Sequence, residues 1–295
     1  MTRVAAVDLG TNSTRLLVAD VDDGTIVEVV RRSVVTRLGE GVDARRQLLP
    51  VPVARVRNVL ADYRRELEAL GAERTLAVAT SAVRDAENGE AFLGEVEWSY
   101  GFHTRLLSGD EEAELTRRGV GELGPTTLLL DVGGGSTEVS AGSFRESIDI
   151  GSVRLTERFL ASDPPTPDEL TAAAEAVRAL LPELEVADAL GVAGTVGQLA
   201  ALLETDELTL TGIELQLTRL AALPLAERRT VPALDPDRAP VIVAGCLIVR
   251  EVLRRYGLVA IRFSARDILD GAALEAAAMP AGSEGEAPPG AYTCC

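Results

Sequence analysis

The chain begins with an apolar run, "RVAAV", that is interrupted by an aspartate, a glycine and four small polar residues. It then resumes as an alternating pattern from Leu16. Asp and Gly are poor strand formers, so the interruption reads as a tight turn between two strands. The same pattern returns later: "VDLGTNSTRLLV" (7–18) aligns without a gap with "LDVGGGSTEVSA" (130–141). Asp8 falls on Asp131, Gly10 on Gly133, Ser13 on Ser136, Thr14 on Thr137 and Arg15 on Glu138. Each copy follows an apolar strand and continues, after a second turn ("DDG" or "AGS"), into a third strand, "TIVEVVRRSVV" or "FRESIDI". A duplicated strand–turn–strand–turn–strand unit predicts two similar domains related by internal repeat.

Helical periodicity follows each unit. Residues 51–70 carry apolar positions at helical spacing and stop at Gly71. "TLAVATSAV" reads as a strand, 88–97 as a short helix and "HTRLL" as another strand. In the second half Thr166 and Glu169 have capping-box spacing with Pro167 at the first helical position. "ALGVAGTVGQLAALLE" reads as strand, glycine turn and helix, and "DRAPVIVAGCLIVREVLRRYG" as one long, largely buried helix. "LVAIRFS" gives a last strand and "ARDILDGAALEAA" a last helix. The pattern predicts an α/β protein with two mixed sheets flanked by helices and a cleft between them. Domains are expected over 1–120 and 121–277, with a disordered Pro/Gly-rich tail over 278–295.

Composition narrows the chemistry. With 46% hydrophobic and 25% charged residues the chain is an ordinary globular one, and no apolar run is long enough to span a membrane. The cytoplasm is the default location, because no secretory pattern precedes the first strand. Three cysteines, two of them the adjacent Cys294 and Cys295, make neither a disulfide framework nor a metal-spaced cluster. His103 is the one histidine and lies in a predicted strand, which leaves no material for a histidine-based triad. A net charge of −17 argues against nucleic-acid binding. All 29 basic residues are arginine, so a P-loop lysine and Schiff-base chemistry are excluded.

Four stretches carry candidate chemistry. After the first strand, Gly10 permits close backbone approach, the N–H groups of Thr11, Asn12 and Ser13 can face an oxyanion, and Arg15 adds a forked donor. Three consecutive glycines in "DVGGGSTE" remove every Cβ from the second turn, which suits a ligand that must come very close. "GVAGTVGQL" opens a helix where an anion would be favoured. In "LLSGDEEAELTRRGV", Ser108 and Glu111 have capping-box spacing, while Glu112 points roughly a quarter turn away and is the carboxylate free to face a cleft. A solvated acidic first turn explains Glu112 equally well on spacing alone.

Together these segments resemble the exopolyphosphatase / guanosine pentaphosphate phosphohydrolase family of the actin, Hsp70 and sugar-kinase superfold. The resemblance runs in order through "VAAVDLGTNSTRLLVAD", "ATSAVRDAEN", "LLSGDEEA", "LLLDVGGGSTE", "GSVRLTERF", "GVAGTVGQLAAL", "DRAPVIVAGCLIVREVL" and "SARDILDG". It implies two ribonuclease H-like (actin-like ATPase) domains and Mg²⁺-dependent hydrolysis of a terminal phosphoanhydride. The substrate would be inorganic polyphosphate, in short chains, or guanosine pentaphosphate, a stringent-response nucleotide. By position, Glu112 resembles the residue that orients and deprotonates the attacking water. Asp131 and Glu138 resemble the acidic groups beside metal and water, with Asp8 joining through water. Gly10, Thr11, Asn12, Ser13 and Arg15 resemble one phosphate loop, and Gly133, Gly134, Gly135, Ser136 and Thr137 the other. Arg84 resembles a further phosphate-facing arginine.

This assignment is chemically coherent, because phosphoryl transfer needs in-line positioning and charge neutralisation rather than lysine or histidine. The net negative charge would make polyanion binding depend on Mg²⁺ and local arginines. Two departures stand out. Long members carry a further C-terminal helical domain of HD type that this sequence does not reach. Where some members read "G-L-R-E-G", this chain reads "D-I-L-D-G", which places Leu269 at an arginine position and favours short chains or a nucleotide. The alternatives are a sensor that binds guanosine tetra- or pentaphosphate or polyphosphate without turnover, and an ATP-dependent small-molecule kinase of the same superfold. A homodimer is an open alternative to a monomer.

Overall fold

The opening apolar run lies in β1 (Thr2–Leu9), the central strand of a five-stranded sheet, and the unbroken apolar stretch Val4–Val7 has a plain cause. Both of its faces are covered. Ala5, Val7 and Leu9 point into one core cluster, Val4 and Ala6 into another. The computed structural model describes residues 1–280, in two compact units: Met1–Gly121 with the segment from Ile268, and Glu122–Asp267. The expected tail, apart from its first residues, and the Cys294–Cys295 pair lie outside the described residues.

In the first unit β1 is followed by β2 (Ser13–Asp22), β3 (Thr25–Val35), the one-turn α1 (Val42–Arg45), α2 (Pro50–Ala69), β4 (Arg74–Ala79), α3 (Ser81–Asp85), α4 (Gly89–Tyr100), β5 (His103–Leu106) and α5 (Gly109–Val120). The sheet order is β3-β2-β1-β4-β5, with the first three strands antiparallel and the last two parallel to β1. Leu60 and Leu67 of α2 and Phe92 and Val96 of α4 cover one face. His103, at the start of β5, is exposed.

The second unit runs β6 (Thr127–Val132), β7 (Thr137–Ala141), β8 (Phe144–Ile148), α6 (Ser152–Phe159), α7 (Pro167–Leu180), β9 (Asp188–Val192), α8 (Ala193–Leu203), β10 (Glu207–Thr209), α9 (Leu210–Ala221), the one-turn α10 (Leu225–Arg228), α11 (Ile242–Arg255) and β11 (Ala260–Phe263). Its sheet order is β10-β11-β9-β6-β7-β8. Five of its strands, β8-β7-β6-β9-β11, repeat the order and directions of the first sheet, as the duplicated sequence predicts. Leu128, Leu130, Val132 and Val139 face a single large core with Val196, Leu217 and Leu247. Strand alternation therefore puts Asp131 and Glu138 on the opposite face.

The last helix, α12 (Ile268–Ala278), belongs to the first unit, although sequence order places it with the second. Ile268, Leu269, Ala272, Ala273 and Ala276 join Val4, Ala6, Leu17 and Leu115 in one cluster, and Arg31 donates to both oxygens of Asp270 at 3.2 and 3.0 Å. Gly271 permits this packing: a Cβ there would run into the carbonyl oxygen of Leu115 on α5. Three other local boundaries also moved. β4 stops at Ala79 because Thr80 and Ser81 turn the chain into α3, α8 starts directly after β9, and α11 starts only at Ile242. No helix among the described residues is long and apolar enough to cross a membrane.

Candidate phosphate loops and catalytic carboxylates

The β1–β2 turn is closed by the Gly10 N–H, which donates to Ser13 O at 3.1 Å. Its carbonyls are held from behind by the segment after β3. Thr36 and Arg37 both donate their N–H to Asn12 O (3.0 and 2.8 Å), and Gly39 donates to Thr11 O (2.8 Å). Thr11 Oγ1 accepts from Ala82 N at the start of α3 (3.2 Å), which ties the turn to the end of β4. Thr11, Asn12 and Ser13 are buried. Asp8 and Arg15 are register partners across β1 and β2, and Arg15 Nε and Nη2 both lie 2.8 Å from Asp8 Oδ2. Asp8 thus sets the direction of the Arg15 guanidinium.

The carboxylates at the start of α5 divide their roles as spacing suggests. Glu111 closes a full capping box: its Oε2 accepts from Ser108 N and Ser108 Oγ at 2.8 Å each, and Arg105 Nη2 reaches its Oε1 at 2.6 Å. The Ser108 backbone bond, with Arg105 next, pushes its pKa down to about 2. Glu112 takes no part in the cap; it is buried, and Arg84 Nη1 lies 3.2 Å from its Oε2. The same Arg84 nitrogen donates to Leu107 O at 2.9 Å, which fixes the guanidinium beside the carboxylate. The structure therefore brings Arg84 and Glu112 together, a pairing that sequence spacing did not reveal.

The second turn is built alike. Gly133 N–H donates to Ser136 O at 3.1 Å, the counterpart of the Gly10–Ser13 bond. Asp131 and Glu138 stand opposite each other across β6 and β7, both buried, and Ser147 of β8 continues the row, its Oγ donating to Glu138 Oε1 at 2.7 Å. Thr137 departs from the sequence expectation. Its hydroxyl donates to Ile150 O at 2.5 Å and its side chain is fully buried, so it braces the loop from the side away from Glu138. Arg154, on α6, is buried with Nη1 3.5 Å from Asp149 Oδ1, and its N–H donates to Gly134 O at 3.1 Å. It lies in "GSVRLTERF", where an arginine beside a glycine-rich turn was the available signal.

Two further expectations change. At the third glycine turn, a Cβ on Gly194 would collide with the Arg238 guanidinium, so a cation packs against the start of α8 where an anion was expected. Leu269 is fully buried in the cluster under β1, and its side chain serves α12 packing. Among the described residues no group of three or more His, Cys, Asp and Glu side chains is arranged to hold a metal ion. Asp131 and Glu138 nonetheless offer paired oxygen donors, and Mg²⁺ commonly binds one or two carboxylates and completes its shell with water and substrate phosphates. The donor set fits that ion.

A family model described as the Ppx/GppA phosphatase family matches residues 17–277. The chain belongs to the Ppx/GppA phosphatase family. Within it, the chain is 39% identical to exopolyphosphatase 2 of Mycobacterium tuberculosis, across 94% of this chain and 99% of that protein. The crystal structure of an exopolyphosphatase-like protein superposes with a TM-score of 0.86 at 29% identity, covering 93% of this chain and 97% of the other. The type II variant of the Aquifex aeolicus Ppx/GppA phosphatase gives 0.71 at 28% identity, covering 94% and 99%. The Ppx/GppA match begins at Leu17 inside β2, so it spans both copies of the internal repeat except for β1, its turn and the first four residues of β2.

Proposed function

We propose that this chain removes the terminal phosphate from inorganic polyphosphate, preferably short chains, and from guanosine pentaphosphate, in the cytoplasm and with Mg²⁺. The observation that carries the reading is Glu112: a buried carboxylate at a helix start, outside the capping box and fixed by Arg84. A carboxylate so held is suited to orient the attacking water and accept its proton. The similarity to a protein named exopolyphosphatase supports polyphosphate as the substrate.

The remaining roles follow from donor chemistry. Asn12, Ser13, Gly134 and Gly135 present main-chain amides, and Arg15 and Arg84 present guanidinium groups, all suited to phosphoryl oxygens. Asp131 and Glu138 would hold Mg²⁺. The ion, when bound, neutralises charge on the phosphates. Ser147 fixes the Glu138 carboxylate for that task. Phosphate release with Mg²⁺ from polyphosphates of defined length, guanosine pentaphosphate and ATP tests the reading. Release from short polyphosphate without an acceptor is expected; binding of these ligands without release supports a sensor, and transfer to a hydroxyl acceptor supports a kinase.

A further inference from the structure

The first turn of α6 would ordinarily be an anion site, because its N–H groups have no partners within the helix. Here they are occupied. Ser152 N donates to Gly133 O at 2.9 Å, with Ser152 Oγ on the same oxygen at 3.2 Å, while Val153 N and Arg154 N donate to Gly134 O at 2.8 and 3.1 Å. In a trans peptide the carbonyl and the following N–H point in opposite directions. Fixing Gly133 O and Gly134 O against α6 therefore turns the N–H groups of Gly134 and Gly135 to the far side, and neither donates to another described residue.

We infer that the first turn of α6, admitted by Gly151, is a positioning device that presents the Gly134 and Gly135 amides to a phosphate group. Gly151 is required because a Cβ there would lie 2.5 Å from Gly134 C and O and 2.6 Å from Gly135 N, all backbone atoms. The helix acts on the anion through the loop: its amides polarise two peptide groups whose far ends face the ligand. The first unit reaches the same end without a helix, since Thr36, Arg37 and Gly39 hold the Asn12 and Thr11 carbonyls. In both units the backing comes from the segment that directly follows the third strand of the repeat. This inference rests on the proposed phosphate-binding reading for the nature of its ligand, and on the hydrogen bonds for its geometry.

Ser152 offers a variant that isolates the device. It is the first helical residue, where proline is well accommodated, and Gly151 before it is extended (φ −141°, ψ 173°), as a residue preceding proline must be. Ser152→Pro deletes the N–H to Gly133 while keeping the helix, and Ser152→Ala deletes only the hydroxyl. Titration of the full chain with imidodiphosphate and Mg²⁺, read by amide NMR and calorimetry, tests the inference. In the wild type the Gly134 and Gly135 amides are expected to shift strongly, and those of Ser152, Val153 and Arg154 only weakly. Ser152→Pro is expected to weaken binding about tenfold or more with a thermal midpoint near the wild type, Gly151→Ala to weaken binding and also lower the midpoint, and Ser152→Ala to bind nearly normally. Dominant shifts at the α6 amides, or unchanged binding by Ser152→Pro, overturn it. The wild-type titration decides the matter even where a variant fails to fold. Imidodiphosphate binding with these shifts but no phosphate release from polyphosphate would sink the phosphatase reading and leave the positioning device standing.

Discussion

Asp131 and Glu138 are register partners on β6 and β7, two buried carboxylates facing each other where the first unit pairs Asp8 with Arg15. The two copies of the turn share a backbone bond, Gly10 to Ser13 and Gly133 to Ser136, and differ in charge at the register pair beside it. One copy has an acid–base pair. The other has two carboxylates side by side, the oxygen donors of the proposed Mg²⁺ site.

Neutralising one member should therefore weaken Mg²⁺ binding and impair the chemistry. Glu138→Gln is expected to remove the extra stabilisation that Mg²⁺ confers on the wild type. Thermal unfolding with and without Mg²⁺ measures the effect. A Mg²⁺-dependent rise in midpoint as large for Glu138→Gln as for the wild type would contradict the reading of the pair.

The close contact of α12 with α5 predicts a second effect. Gly271→Ala forces a methyl group against the Leu115 carbonyl, an overpacking expected to cost about 1–3 kcal/mol. The loss should appear in the first unit, which α12 completes. Hydrogen exchange should show β1 and α5 deprotected, with α11 of the second unit little changed.

Acid should loosen the start of α5. Glu111 has its pKa lowered from 4.5 to about 2 by the Ser108 and Arg105 bonds, so its contribution is complete above about pH 4.5 and disappears as pH falls toward 2. Its side chain is 44% exposed, so solvent screening keeps the effect small. Denaturant midpoints followed across that window should fall more steeply for the wild type than for Glu111→Gln. Ser108→Ala, which removes the cap acceptor, should cost about 1 kcal/mol at neutral pH.

What could be read in the sequence was local. Both capping boxes, the three-strand repeats and the place of Glu111 in the cap with Glu112 outside it depend on residues a few positions apart, and the structure has all three. The errors came from partners distant in the chain. "ATSAV" reads as continuing strand, yet Ala82 N bonds to Thr11 Oγ1 and the chain turns into α3 at Ser81. Thr137 looks like the end of a polar loop, and only the fold shows Ile150 O waiting for its hydroxyl. Leu269 looks like a missing arginine until α12 docks and buries it. The Arg84–Glu112 pair was equally hidden, because β5 and the start of α5 must be in place before the two meet.

The central claim is that Glu112 activates water while other groups bind the phosphates, and one paired measurement tests it. Phosphate release from short polyphosphate and equilibrium binding of imidodiphosphate should be compared for the wild type and Glu112→Gln. Loss of release by about 10²-fold or more with binding kept within a few-fold is the expected result. Release at the wild-type rate by Glu112→Gln would contradict the assignment of the base, and with it the account of this site.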